Sequence, residues 1–145
     1  MLLGEIMKSK KKSWAQKMRP DMIHEVKTSD RDFADIPAGH TMLIATPAIV
    51  NSYVCDIPEG KHVSIKQMRE DLAAEYHAEY TCPVTSGIFL RIVAENAWEE
   101  LMKGKSITRI TPFWRMIDLK SPSAKKLACG LDFIKEMREK EGLPL

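Results

Sequence analysis

The chain has 145 residues, 44% hydrophobic and 29% charged, with a formal net charge of +2, the composition of one ordinary globular domain. No apolar run is long enough to cross a bilayer, and Met1-Leu2-Leu3 turns basic within a few residues, so neither a membrane span nor secretion is expected. Cys55, Cys82 and Cys129 are odd in number and far apart, which points away from a disulfide framework and toward the reducing cytoplasm.

The small net charge conceals an uneven distribution. Residues 1–31 carry eight Lys/Arg against four Asp/Glu, residues 32–102 four against eleven, and residues 103–145 ten against five. The basic ends suit a polyanion partner, whereas the acidic middle excludes one uniform phosphate-binding surface. From Lys8 to Arg19 there are six positive charges and no negative one. That stretch reads either as a frayed, solvated arm or as an extension that orders on phosphate. Residues 20–40 mix Pro, Asp, Gly and Ser and read as a linker. The expected organisation is therefore a basic arm and linker over 1–40 and a folded domain over 41–145.

Met42-Leu43-Ile44-Ala45 suggests a short strand. Thr46-Pro47 predicts a helix start, with Thr as N-cap and Pro at the first helical position, running to about Asp56. Ile57 to Lys61 is a turn. Ser64 and Gln67 have capping-box spacing before a helix whose apolar positions are Ile65, Met68, Leu72, Ala73 and Tyr76. A polar connection from His77 to Pro83 leads to a long helix from about Thr85 to Met102. Its apolar residues occupy more than one face, which places it near the centre of the fold. Gly104 is a stop, and 108–119 is irregular. Ser121-Pro122 opens the last predicted helix, which carries Leu127, Leu131 and Ile134 and ends near Gly142. The class is mostly α with short extended pieces.

The consecutive helices 64–76 and 85–102 have the outline of a helix-turn-helix. In that arrangement Thr85 and Ser86, at the start of the second helix, meet phosphate or base edges. Arg91 is that helix's only basic residue. Glu95, Glu99 and Glu100 read as a solvated face that phosphate repels, so lengthwise insertion into a groove is not expected. Cys82, just before Pro83 and five residues after His77, is either a packed cysteine or a thiol-histidine nucleophile. Cys55, His62, His77 and Cys82 have no compact zinc-finger spacing, and no glycine-rich phosphate loop is present, so no metal or cofactor is expected.

Ile57-Pro58-Glu59-Gly60-Lys61-His62-Val63-Ser64-Ile65 resembles the opening of the C-terminal, winged-helix domain of the alkylguanine-DNA alkyltransferases. The similarity continues through the Gly87-containing helix to Pro112-Phe113-Trp114-Arg115-Met116-Ile117, where the family has Pro-Cys-His-Arg. It closes on Gly130-Leu131 and a final helix ending at Glu141-Gly142, and so spans residues 57–142. In the family that cysteine accepts the alkyl group, activated by the neighbouring histidine. Phe113 and Trp114 stand at those two positions, and neither can do that chemistry. The family's helix tyrosine is Ile65, its base-replacing arginine falls on Val84 or Thr85, and Cys129 stands for the first glycine of Gly-Gly. The closer likeness is to alkyltransferase-like proteins, which also lack the acceptor cysteine and bind alkylated guanine without removing the alkyl group.

That resemblance implies a non-catalytic DNA-binding protein whose ligand is duplex DNA bearing alkylated guanine. It further implies a repair protein as partner and no membrane. Pro112, Phe113, Trp114 and Arg115 would border the base pocket, where an aromatic wall offsets unstacking, although adjacent aromatics after Pro also suit core packing and Arg115 suits a structural pairing. Ser64, Thr85, Ser86, Arg91, Lys103, Lys105, Arg109 and the basic arm would contact DNA. Two alternatives stand beside it: a protein-interaction module on a degenerate alkyltransferase fold, and a thiol enzyme using Cys82.

Overall fold

A computed structural model describes residues 12–145. A short helix, α1 (Trp14–Lys17), precedes strands β1 (Glu25–Thr28) and β2 (Thr41–Ile44). Helices α2 (Pro47–Cys55) and α3 (Ile65–Glu75), strand β3 (Tyr80–Thr81) and the long helix α4 (Pro83–Met102) follow. Two 3-10 turns, Phe113–Arg115 and Ala124–Lys126, lead to α5 (Leu131–Lys140). The domain is therefore a small α/β fold of five helices and one three-stranded sheet, with fewer than half of its residues helical, which corrects the mostly-α expectation.

The sheet corrects two expectations. Residues 20–40, read as a linker, contain β1, which runs antiparallel to β2 with Glu25 opposite Ile44 and Thr28 opposite Thr41. The polar connection before α4 contains β3, parallel to β2 with Met42 opposite Tyr80. Backbone bonds between Ser29 and His40 and between Gly39 and Ser29 close the β1–β2 loop. Arg69 of α3 donates from both terminal nitrogens to Asp35 in that loop, at 2.8 and 3.0 Å, and from Nε to the Thr81 carbonyl. One guanidinium thus holds the loop, α3 and β3 together.

Cap chemistry sets the helix starts. The Thr46 hydroxyl accepts from the Ile49 amide at 3.1 Å, with Pro47 in the first turn. Ser64 accepts from the Gln67 amide at 3.1 Å, but the Gln67 side chain donates to Asp71 instead of closing the box. Helix α4 begins at Pro83, two residues before the expected Thr85, because Pro lacks only an amide that the first turn leaves unused. The final helix departs most from expectation: Ser121-Pro122 leads only to the 3-10 turn Ala124–Lys126. Gly130, at φ +81°, then redirects the chain into α5, a left-handed conformation that glycine adopts without strain.

Two apolar cores meet along α4. Phe89 and Val93 join Leu43, Val50, Val54, Met68 and Leu72 in the first. Ala94 and Ala97 join Ile110, Phe113, Trp114, Leu127 and Ile134 in the second. Trp14, Met18 and Met22 pack against the first core, so this stretch of the basic arm is docked on the domain. Lys8, Lys10 and Lys11 lie outside the described residues.

Phe113 is fully buried, so Phe113→Ala should destabilise the domain by about 3–5 kcal/mol, through lost transfer energy and the cavity left behind. Equilibrium urea unfolding reads this directly; a loss under about 1 kcal/mol would show that the second core does not close around this ring.

Candidate functional site

The aromatic motif forms a structural junction. Phe113 is 0% exposed, its ring centroid 5.5 Å from that of Trp114 and 6.2 Å from that of Phe133. Trp114 Nε1 donates to Glu141 Oε2 at 2.7 Å. Arg115 Nε and Nη2 donate to the two oxygens of the same carboxylate at 2.8 and 3.0 Å, and Nη1 donates to the Ile57 carbonyl at 2.7 Å. The Gly60 amide adds a bond to Glu141 Oε1 at 3.0 Å. Burial pushes the Glu141 carboxyl up, but the Arg115, Gly60 and Trp114 donors outweigh it and hold the group below its ordinary value. Pro112, Phe113, Trp114 and Arg115 are absent from the walls of the five main clefts among the described residues. The aromatic wall expected of a base pocket is the inside of the second core, because both rings are enclosed and the one indole donor is engaged.

The concave surface lies instead where the start of α3, the exposed side of α4 and the segment 116–127 meet. Two clefts adjoin there and share Ile65, Leu90, Ile117 and Ser123 in their walls. The larger, of about 530 Å³, also takes in Ser64, Lys66, Asp118, Lys120 and Arg138. The smaller, of about 240 Å³, runs past Gly87, Arg91, Lys126 and Leu127. Gly87 presents no side chain to this wall, which leaves the surface of α4 open beside Ile88. The structure thus brings Ser64 and Arg91 to one region and adds Lys66, Lys120, Lys126 and Arg138. Sequence reading passed over these four; the basic run Lys120 to Lys126 was the available signal.

The other expected DNA contacts are dispersed. Thr85 lies on a separate cleft of about 500 Å³ beside β1 and β2, together with Cys82. Ser86 is buried and its hydroxyl donates to the Cys82 carbonyl at 2.6 Å, so it has no free donor for phosphate. Lys103, Lys105 and Arg109 are exposed in the segment after α4 and are absent from the walls of the five main clefts among the described residues, and Lys105 pairs with Glu100 at 2.7 Å. Arg91 lies over the Trp14 ring at 5.4 Å while its side chain stays partly exposed.

Glu95 also corrects its reading as part of a solvated face. It is 3% exposed, accepts from the Ala128 amide at 3.1 Å and lies 3.6 Å from Arg91. It therefore anchors the segment that forms the cleft wall. Cys82 is buried against Ile36 and Met42, and burial with the negative charge of Glu95 pushes the Cys129 thiol up to about 11. Among the described residues no group of three His, Cys, Asp or Glu side chains is placed to hold a metal ion. No described helix is long and apolar enough to cross a membrane.

No protein-family model, curated protein or solved structure matches this chain.

Because the Glu141 carboxyl titrates below its ordinary value of 4.5 in the fold, its stabilisation is complete above that pH and is lost as pH falls through the lowered value. Glu141→Gln should therefore lower stability by about 3 kcal/mol at pH 7 and flatten the acid limb of the stability profile below about pH 4.5. Urea midpoints measured from pH 3 to pH 7 test this; an acid limb of unchanged slope in the variant would assign acid lability to other carboxylates.

Proposed function

We propose that the chain is a non-catalytic DNA-binding protein of the alkyltransferase-like type, holding an alkylated guanine in the smaller of the two adjoining clefts. The observation that carries this reading is the position of that cleft. It is bounded by Ile65, where the family has its helix tyrosine, by the Gly87 turn of α4, and by the segment that follows Pro112-Phe113-Trp114-Arg115. The expected base pocket is thereby moved from the aromatic motif to the neighbouring surface. Phe113 offers no nucleophile at the acceptor position and is enclosed, so alkyl transfer has no acceptor there.

On this reading α3 and α4 form the helix-turn-helix pair of a winged-helix-type domain, with β3 in their connection. Arg91 and Lys126 at the smaller cleft, with Lys66 and Lys120 at the larger, supply the phosphate-facing charge. The burial of Glu95 supports the reading, because it takes one of the three carboxylates of α4 away from an approaching polyanion. A flipped base would lie on Ile65, Leu90 and Ile117, and this apolar contact would offset part of the unstacking energy.

A protein-interaction module is a second reading, favoured by the edge of the sheet. All four residues of β1 are exposed, and Ile23 just before it is 83% exposed, a pattern that suits strand addition by a partner.

Fluorescence anisotropy with paired duplexes, one carrying an alkylated guanine, tests the proposal at two salt concentrations. Binding should weaken steeply with salt and be tighter for the alkylated duplex. Arg91→Ala with Lys126→Ala should weaken both duplexes by about tenfold at low salt, through lost phosphate contacts. Absence of binding at low salt would overturn the DNA reading, and equal affinity for both duplexes would overturn the alkylguanine assignment.

A further inference from the structure

Arg138 presents a buried positive charge that Asp118 and Glu141 influence from a distance but that no carboxylate contacts among the described residues. It lies in the last turn of α5 and is 3% exposed. Nε donates to the Pro144 carbonyl at 2.8 Å, and Nη1 donates to the Trp114 carbonyl at 2.8 Å and lies 3.1 Å from His62 Nδ1. Burial and the guanidinium charge hold His62 below its ordinary value, so the imidazole stays neutral and accepts. All three partners are uncharged. Among the described residues Arg138 makes no salt bridge, and its Nη2 donates to none of them. Glu141 is committed to Arg115, Trp114 and Gly60. Asp118 is exposed and accepts from the Lys120 amide at 2.9 Å.

A guanidinium withdrawn from water without a carboxylate in contact is costly, and the negative end of α5 with the more distant Asp118 and Glu141 offsets only part of that cost. Arg138 lines the larger cleft, where two independent features also favour an anion. The first turn of α3 opens on it with no acidic residue in that turn; Ser64 takes the Gln67 amide, and the Ile65 and Lys66 amides are left available. Lys66 and Lys120 are exposed on the same walls, which they share with Asp118 and the terminal residue Leu145. The rest of the lining includes Ile65, Leu90 and Leu119, and the volume of about 530 Å³ falls in the range of small-ligand sites.

We propose that this cleft is a phosphate-ester site, in which the head group pairs with Arg138 Nη2 and an apolar body lies on Ile65, Leu90 and Leu119. The planar guanidinium, together with Lys66 and Lys120, offers the several donors that the oxygens of a phosphate take up. The site stands whether or not the neighbouring cleft takes a base. The phosphate belongs either to a free ester or to a nucleic-acid backbone.

Isothermal titration of the full chain in low-salt, phosphate-free buffer, with phenyl phosphate and inorganic phosphate as probes, tests the site. One-to-one binding is expected, with phenyl phosphate at least about fivefold tighter because its ring is buried. Lys66→Ala and Lys120→Ala, both exposed, should each weaken it by about threefold while leaving the melting temperature unchanged. Arg138→Lys should weaken it by at least about tenfold, and the two rim variants carry the test if that protein does not fold. Competition by a short unmodified duplex assigns the phosphate to a backbone; persistence of phenyl phosphate binding beside saturating duplex assigns it to a free ester. No saturable binding of either probe at millimolar concentration, or affinities unchanged in both rim variants, would overturn the proposal.

Discussion

One enclosed carboxylate joins the parts of this domain that sequence separates most widely. Glu141, its side chain 4% exposed, receives donors from Gly60, Trp114 and Arg115. Arg115 continues to the Ile57 carbonyl, and its own carbonyl accepts from the Val63 amide at 3.0 Å. The turn before α3, the 3-10 turn and the end of α5 are thereby fixed around one point. A buried ion pair gains little over an apolar packing of the same shape, but removing one partner leaves an uncompensated charge. The contribution of this pair is therefore chiefly specificity: only one placement of α5 satisfies all four donors.

That junction determines what the Pro112-to-Arg115 segment can do. With Trp114 held by Glu141 and Phe113 closed into the second core, the motif acts as the rear support of the surface and the segment after it becomes the cleft wall. Glu95 completes this arrangement by holding Ala128, while Arg138 bonds the Trp114 carbonyl from the other side. The basic side chains that meet at the clefts come from α3, α4, α5 and the intervening segment. Their convergence depends on the same few buried polar contacts that stabilise the fold.

Much of the helical framework was legible because its signals are local. Thr46-Pro47 and Ser64 announce helix starts through cap chemistry, and the density of apolar residues in α4 announces a central helix. The apolar run Met42-Leu43-Ile44 announced β2, but β1 and β3 were not legible, since the four exposed residues of β1 and the two-residue β3 carry no alternating pattern, and their pairing is a tertiary event. The start of α5 depends on the positive φ of Gly130, which competed with an equally plausible Ser-Pro start. For the site, residue type misled in both directions. Glu95 looked like its neighbours Glu99 and Glu100, but its partner is an amide 33 residues away. Arg138 carries no local signal that sets it apart from Lys135 and Lys140 on the same helix, yet it is buried at the cleft. Aromatic residues after Pro112 suit a pocket and a core equally well; only the enclosing contacts decide between them.

The most direct test of the DNA account is where a duplex touches the protein. Amide chemical-shift mapping with a short duplex carrying one alkylated guanine should perturb residues 64–66, 87–91 and 117–127, which line the two adjoining clefts. Amides of β1 should remain unmoved. Perturbations confined to β1 and its loop, or none at saturating duplex, would contradict the account.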